Sequence, residues 1–145
     1  MLFLGTFDYA MDERGRVPLP PRYREAFRNG IVLSQGSPDR CIFLHTMEAF
    51  ERHARDVTAR PALHRSGRVL RRGLFHGAYE ASLDSQNRIL IPASLRDYAK
   101  LNGKVLLFGT GEWLELWSPE EYEAELGRVA DELPAAQESA GAFDR

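Results

Sequence analysis

The chain has one cysteine, Cys41, among its 145 residues. That excludes an internal disulfide and any Cys-x-x-Cys pair for zinc or redox chemistry, so a reducing compartment is the simplest expectation. Long apolar runs are missing too, and none approaches the ~20 residues a membrane helix needs. The opening MLFLGTFDYAMDERGR has no basic stretch ahead of its apolar residues, which Gly5 and Asp8 interrupt. It does not read as a signal peptide. Net charge is small, −2 with a pI near 6.1, which counts against indiscriminate coating of nucleic acid. No Ser–His–acid set, phosphate loop or His/Cys metal spacing stands out, so no enzyme, metal or cofactor is expected. The expectation is a soluble, cytoplasmic, globular protein.

What the chain does have is one motif twice. Asp12-Glu13-Arg14-Gly15-Arg16 returns as Asp84-Ser85-Gln86-Asn87-Arg88. In the same register Gly5 matches Gly77, Pro20 matches Pro92, Arg24 matches Arg96, and the aromatic Phe7 matches the aromatic Tyr79. Two copies with no third argue for an internal pseudo-dimer, since a solenoid needs more repeats to bury its faces.

Each copy reads as the same run of elements. Alternating Phe7, Tyr9 and Met11 predict a strand over 5–11. Asp12 suits the first turn position because its carboxylate accepts nearby backbone N–H groups, and Gly15 suits positive φ. Asn87 stands in for Gly15 in the second copy, and asparagine is enriched at positive φ. A short strand over 16–19, a Pro-led helix over 20–27 and strands over 31–33 and 41–44 follow. Thr46 caps a helix from 47 to about 59, and a second, basic helix covers about 62–75. The second copy repeats this with strands over 79–83 and 88–91, a helix over 92–99, and strands over 105–108 and 113–117. Ser118-Pro119-Glu120-Glu121 opens a last helix, with Glu121 at the capping-box position. That helix is expected to fade near Leu133-Pro134. The division is then a first repeat over 5–51, linking helices over 52–76, a second repeat over 77–123, a C-terminal helix over 118–133 and a disordered tail over 134–145.

Strand, Asp-x-x-x-Arg turn, strand, short Pro-led helix and hairpin together resemble the AbrB/SpoVT swapped-hairpin family. Two copies joined by basic helices resemble its MraZ family, over roughly residues 1–130. Gly5, Asp12, Gly15-Arg16, Pro20, Arg22-Tyr23-Arg24, Asp84, Arg88, Ile91-Pro92 and Leu95-Arg96 carry the likeness, with Arg71-Arg72-Gly73-Leu74-Phe75 and Leu114-Glu115-Leu116-Trp117 on either side of the second repeat. The resemblance implies an α+β fold in which two tandem AbrB-like repeats form one swapped-hairpin β-barrel pseudo-dimer flanked by helices. It also implies a nucleoid-associated DNA-binding regulator at the head of the bacterial division and cell-wall gene cluster. Members form ring-shaped homo-oligomers on direct repeats of double-stranded DNA upstream of their own operon.

The candidate DNA-binding residues are Arg14, Arg16, Arg88 and Gln86, with Asp12, Gly15, Asp84 and Asn87 organising the turns. An arginine can bind guanine O6 and N7 bidentately in the major groove. Alternatively Asp12–Arg16 and Asp84–Arg88 are ion pairs bracing each turn, and Arg16 and Arg88 are divided between the two roles. Arg14, with only Glu13 nearby, is the better candidate, and Gln86 makes the second turn less cationic. Arg22 and Arg24, at a helix start, either face a partner or snorkel over the core.

Charge is unevenly spread. Residues 52–76 hold seven arginines against one aspartate, and residues 112–145 hold ten acids against two arginines. Solvated helix faces are the plainer explanation. Pairing of the basic helices (Arg65, Arg68, Arg71, Arg72) with a neighbour's acidic last helix is the assembly alternative, and would weaken as salt rises. A second function class is a protein-interaction scaffold without specific DNA binding.

Overall fold

The computed structural model describes residues 1–143, with side chains through residue 140. The strands are β1 (Thr6–Ala10), β2 (Arg16–Pro18), β3 (Ile31–Gln35), β4 (Ile42–Thr46), β5 (Tyr79–Ala81), β6 (Arg88–Leu90), β7 (Lys104–Gly109) and β8 (Leu114–Trp117). The helices are α1 (Met47–Thr58), α2 (Arg65–Phe75), α3 (Ala93–Ala99) and α4 (Pro119–Phe143), giving a mixed α+β architecture. None of the described helices is long and apolar enough to cross a membrane.

Six strands form one antiparallel sheet in the order β1-β7-β8-β4-β3-β5, and β2 pairs with β6 in a separate two-stranded ribbon. The barrel implied by the family resemblance is therefore not closed: the sheet is open, with β1 and β5 at its edges. Period-two alternation says which face of a strand is buried but not whether the last strand returns to the first. The order still has internal symmetry. β1, from the first copy, pairs with β7 from the second, while β5 pairs with β3. At the centre β4 meets β8, with Leu44 opposite Leu114 and Ile42 opposite Leu116.

The repeat extends into the core. Val17 and Ile89, Leu19 and Ile91, Leu33 and Val105, Ile42 and Leu114, and Leu44 and Leu116 are matched positions, and all are buried in one apolar cluster. Removing this apolar area from water, at ~25 cal/mol per Å², is what holds the two copies together.

The two copies differ at their Pro-led segments. In the second, α3 is a full α-helix; in the first, only a 3-10 turn over Pro21–Tyr23 forms, followed by further turns. The helix expected over 20–27 is thus shorter and tighter. Pro20 and Pro21 both lack N–H groups, so the segment closes with i→i−3 bonds from Tyr23 N–H to Pro20 O and from Arg24 N–H to Pro21 O.

The helices that follow each hairpin are also a matched pair. Thr46 Oγ1 accepts from Ala49 N–H at 3.1 Å at the start of α1, and Ser118 Oγ accepts a long bond from Glu121 N–H at 3.5 Å at the start of α4. The Ser118 hydroxyl donates to Glu120 Oε2 at 2.7 Å. In the first copy α2 folds back on α1, and the loop between them is held by arginines. Arg68 Nη1 donates to the carbonyls of Ala62 and Leu63, and Arg71 Nη2 to those of Thr58 and Arg60. Two of the four arginines singled out on the basic helices, Arg68 and Arg71, are thus spent inside the helical hairpin. Beneath it His45 is buried, with Nε2 3.2 Å from Ser34 Oγ. Burial, assisted by the charge of His53, lowers its pKa to about 4.

α4 does not fade at Leu133-Pro134 but runs through Pro134 to Phe143. The ring at Pro134 removes one backbone donor, yet the flanking Leu, Ala, Gln and Glu residues favour helix. Residues 134–143 are therefore helix where a disordered tail is expected, and residues 144–145 lie outside the described residues.

Candidate nucleic-acid interface

The two Asp-x-x-x-Arg turns are built identically. Asp12 Oδ1 accepts from Arg14 N–H at 3.0 Å and Arg16 N–H at 2.9 Å; Asp84 Oδ1 accepts from Gln86 N–H at 2.8 Å and Arg88 N–H at 2.9 Å. Each chain reversal closes with Gly15 N–H to Asp12 O and Asn87 N–H to Asp84 O, both at 3.0 Å. The fourth turn residue needs positive φ, which Gly15 adopts at 83° and Asn87 at 58°. All four turn-organising residues occupy the positions their chemistry predicts.

Pairing of β2 with β6 brings the turns together. Val17 sits opposite Ile89 and both point into the core, so Arg16, Pro18, Arg88 and Leu90 share the outer face. Arg16 Nε lies 2.7 Å from Asp12 Oδ2 and Arg88 Nε lies 3.0 Å from Asp84 Oδ2. Their Nη1 atoms reach across, at 3.9 Å from Arg16 to Asp84 and 3.6 Å from Arg88 to Asp12. Two arginines and two aspartates form one lattice, the arginine side chains 25% and the aspartates 32% exposed. The backbone donors of Arg16 and Arg88 are the main reason Asp12 and Asp84 are held below the usual carboxylate pKa, with the guanidinium bonds and charges adding to it.

The lattice separates the candidate residues into two groups. Arg16 and Arg88 are committed to carboxylates, while Arg14 and Gln86 are exposed at the turn tips. Among the described residues Arg14 makes no ion pair.

Two further arginines belong here that sequence reasoning did not bring to the site. A Cβ at Gly15 would lie 2.8 Å from Arg96 Cζ, so the Arg96 guanidinium covers the first turn. Arg24, its match, lines one cavity with Asn87 of the second turn. Arg96 of the second copy thus lies against the first turn, and Arg24 of the first copy shares a cavity with the second turn. The Nε atoms of both are buried without a hydrogen-bond partner, and among the described residues neither arginine is in an ion pair. The register match of Arg24 with Arg96 was the available signal; only the strand exchange shows where it leads. Arg22 instead places its guanidinium 5.7 Å from the Tyr23 ring centroid.

Known proteins resemble this chain over nearly its whole length. The family model described as "MraZ protein, putative antitoxin-like" matches twice, over residues 2–72 and 74–145. A protein of Herpetosiphon aurantiacus named "Transcriptional regulator MraZ" is 36% identical over 142 residues, covering 98% of this chain and 99% of its own length. Proteins of the same name from Thermomicrobium roseum and a Nocardioides species are 38% and 39% identical. They cover 92% and 86% of this chain, and 94% and 88% of their own lengths. With a matching family model over both halves and relatives spanning nearly the whole chain, this protein belongs to the MraZ family, whose relatives here are named transcriptional regulators.

Proposed function

We propose that the protein is a sequence-specific repressor that binds double-stranded DNA through the β2–β6 ribbon and its two turns. The observation that carries this reading is the division of cations within one small surface. Arg16 and Arg88 are neutralised by Asp12 and Asp84, which fixes the turns, while Arg14 is exposed and uncommitted at a tip. A major groove admits a two-stranded β-ribbon; arginine reads guanine and glutamine reads adenine from such a position. Arg14 and Gln86 are the base readers, Arg16 and Arg88 hold the ribbon in shape and share in contacts along its outer face, and Arg24 and Arg96 supply charge at the flanks toward phosphates.

The net charge of −2 is compatible with this because binding depends on a local array rather than overall charge. One chain offers few cations, so affinity arises when several copies present the same ribbon to tandem repeats, each bound copy raising the effective concentration of the next. The MraZ resemblance supports the remaining parts: a homo-oligomer, ring-shaped, acting on direct repeats in the promoter of its own operon in the division and cell-wall gene cluster, within the cytoplasm and on the nucleoid. The exchange of strands between the copies supports a swapped-hairpin origin for the pair.

A gel-shift series tests the reading. Promoter DNA carrying the tandem repeats should be retained in preference to scrambled DNA of equal length, and Arg14→Ala and Arg88→Ala proteins should lose that preference. Equal retention of both DNAs would refute specific regulation, and undiminished binding by both variants would remove the ribbon as the interface.

A further inference from the structure

The two copies treat one face of the sheet differently. Ile42, Leu44, Leu114 and Leu116 point into the main core, so Phe43, His45, Glu115 and Trp117 take the opposite face. In the second copy Tyr122 of α4 closes over that face, its ring centroid 5.0 Å from Phe108 and 5.2 Å from Trp117. In the first copy the residues matched to Leu106, Phe108 and Trp117 are Ser34, Gly36 and His45. Each is smaller than its counterpart, and two are polar where the second copy has leucine or tryptophan. What the second copy fills with its own side chains the first leaves hollow: a cavity of about 540 Å³ lies between β3–β4 and the α1–α2 pair. Small-molecule sites run to ~300–1,000 Å³.

The lining combines aromatic faces with a few deep polar groups. Phe43 and Trp113 have ring centroids 4.9 Å apart, and the His45 ring stands 6.0 Å from the first and 5.7 Å from the second. Trp113 Nε1–H donates to Glu115 Oε2 at 3.1 Å, which fixes the indole. Ser34 and His45 are only 4% and 5% exposed, and with Gln35 they give the cavity hydrogen-bond donors and acceptors. The burial that keeps His45 uncharged would penalise a charged guest beside it as well. α2 closes the far side with Val69, Leu70 and Leu74. Gly73, inside that helix, also lines the cavity, and a Cβ there would meet nothing within 4 Å among the described residues. No contact calls for glycine at this position, which weakens a helix interior; its missing side chain leaves room.

We infer that this cavity is a binding site for an uncharged, planar heteroaromatic small molecule, held face or edge against Phe43 and Trp113 and bonded through its ring heteroatoms to Ser34, Gln35 and His45. Aromatic pairs favour offset and edge-to-face contact, and a few placed polar groups orient a ligand in an otherwise apolar pocket. Groups as deep as Ser34 and His45 are reached by a ring entering edge-on, not by a chain segment laid across the mouth.

Calorimetric titration of the full-length protein at neutral pH, without DNA, tests this. Benzimidazole and adenine are the heteroaromatic probes; cyclohexanol and choline are the non-aromatic and cationic controls. At least one heteroaromatic should bind saturably at one molecule per chain, and neither control should. Two variants fill the cavity: Gly73→Leu, where the added side chain meets open space, and Ser34→Leu with His45→Trp, which copies Leu106 and Trp117. Each, shown to be folded by circular dichroism, should lose at least about tenfold in affinity. If the double variant does not fold, Gly73→Leu alone decides. Controls that bind as tightly as the heteroaromatics would overturn the ligand class. Absence of saturable binding by both heteroaromatics, or affinity unchanged in the folded variants, would overturn the site.

Discussion

Arg14 and Arg16 lie two residues apart yet should fail in opposite ways. Arg14 is exposed and makes no ion pair among the described residues, so Arg14→Ala removes nothing that holds the fold. Its melting temperature should stay within about 1 °C of wild type, as for most surface substitutions. Its DNA affinity should fall by the ~1–3 kcal/mol of one base-reading arginine, roughly 5- to 150-fold. Arg16→Ala instead removes the 2.7 Å bond to Asp12 and the 3.9 Å contact with Asp84. A bond to a charged group contributes ~1.5–3 kcal/mol, but both carboxylates are partly exposed and water replaces much of it, leaving ~1 kcal/mol. For a chain of this size that lowers the melting temperature by about 4 °C. Fluorescence anisotropy against a salt series, beside thermal melts, separates the two. If Arg14 contacts phosphate rather than a base, the slope of log affinity against log salt becomes shallower by ~0.9 per engaged chain. An Arg14→Ala protein that melts as early as Arg16→Ala, or one that binds DNA as tightly as wild type, would refute the division of roles.

Gly15→Ala should destabilise the protein by ~1–2 kcal/mol for its left-handed φ alone, and by more as Arg96 is displaced; Gly15→Asn, copying Asn87, should recover the first part and not the second, read from melting temperature and DNA affinity together. His45 makes stability pH-dependent in a defined window: its folded pKa of about 4 lies below its unfolded value, so the contribution is full above about pH 6.5 and is lost as pH falls toward 4, by ~3 kcal/mol. Urea melts should show this loss, and His45→Phe should flatten it. Asp12 and Asp84 act lower, their lowered pKa values adding stability that is present above about pH 4 and lost below it. Pro134→Ala should raise helical circular dichroism while leaving the melting temperature of the isolated chain almost unchanged, because α4 is exposed at every residue from Leu126 to Ala140; a large rise in melting temperature would mean that this part of α4 is coupled to the core.

What was legible in the sequence was local. Asp12, Gly15, Asp84 and Asn87 organise their own turns through bonds spanning four residues or fewer, so residue type and spacing were enough to place them. Thr46 and Ser118 begin helices for the same reason. What was not legible was pairing. Phe7, Tyr9 and Met11 show that β1 has two faces but not that its neighbour is β7, and the barrel, implied by the family resemblance alone, had no pairing in the sequence to test it. Arg96 could not be put beside Gly15 without that pairing. The cross-bonds from Arg16 to Asp84 and from Arg88 to Asp12 likewise depend on the ribbon register. Pro134 misled in another way: its rule concerns one lost bond, and a run of good helix formers outweighed it.

The exchange of strands also sets a timetable for synthesis. Thr6 finds its partner in Phe108, roughly 100 residues downstream, so at about 5–20 residues per second β1 leaves the ribosome some 5–20 s before β7 exists. Until then the nascent first half has an open sheet edge and an uncovered apolar face, the state on which chaperones act. Nor can the halves rescue themselves singly, because a chain cut at residue 76 lacks the partners of β1 and β2 and leaves the β3–β4 pair without β5 and β8 on its two sides. The duplication that makes the two copies look independent has made each of them the other's folding template.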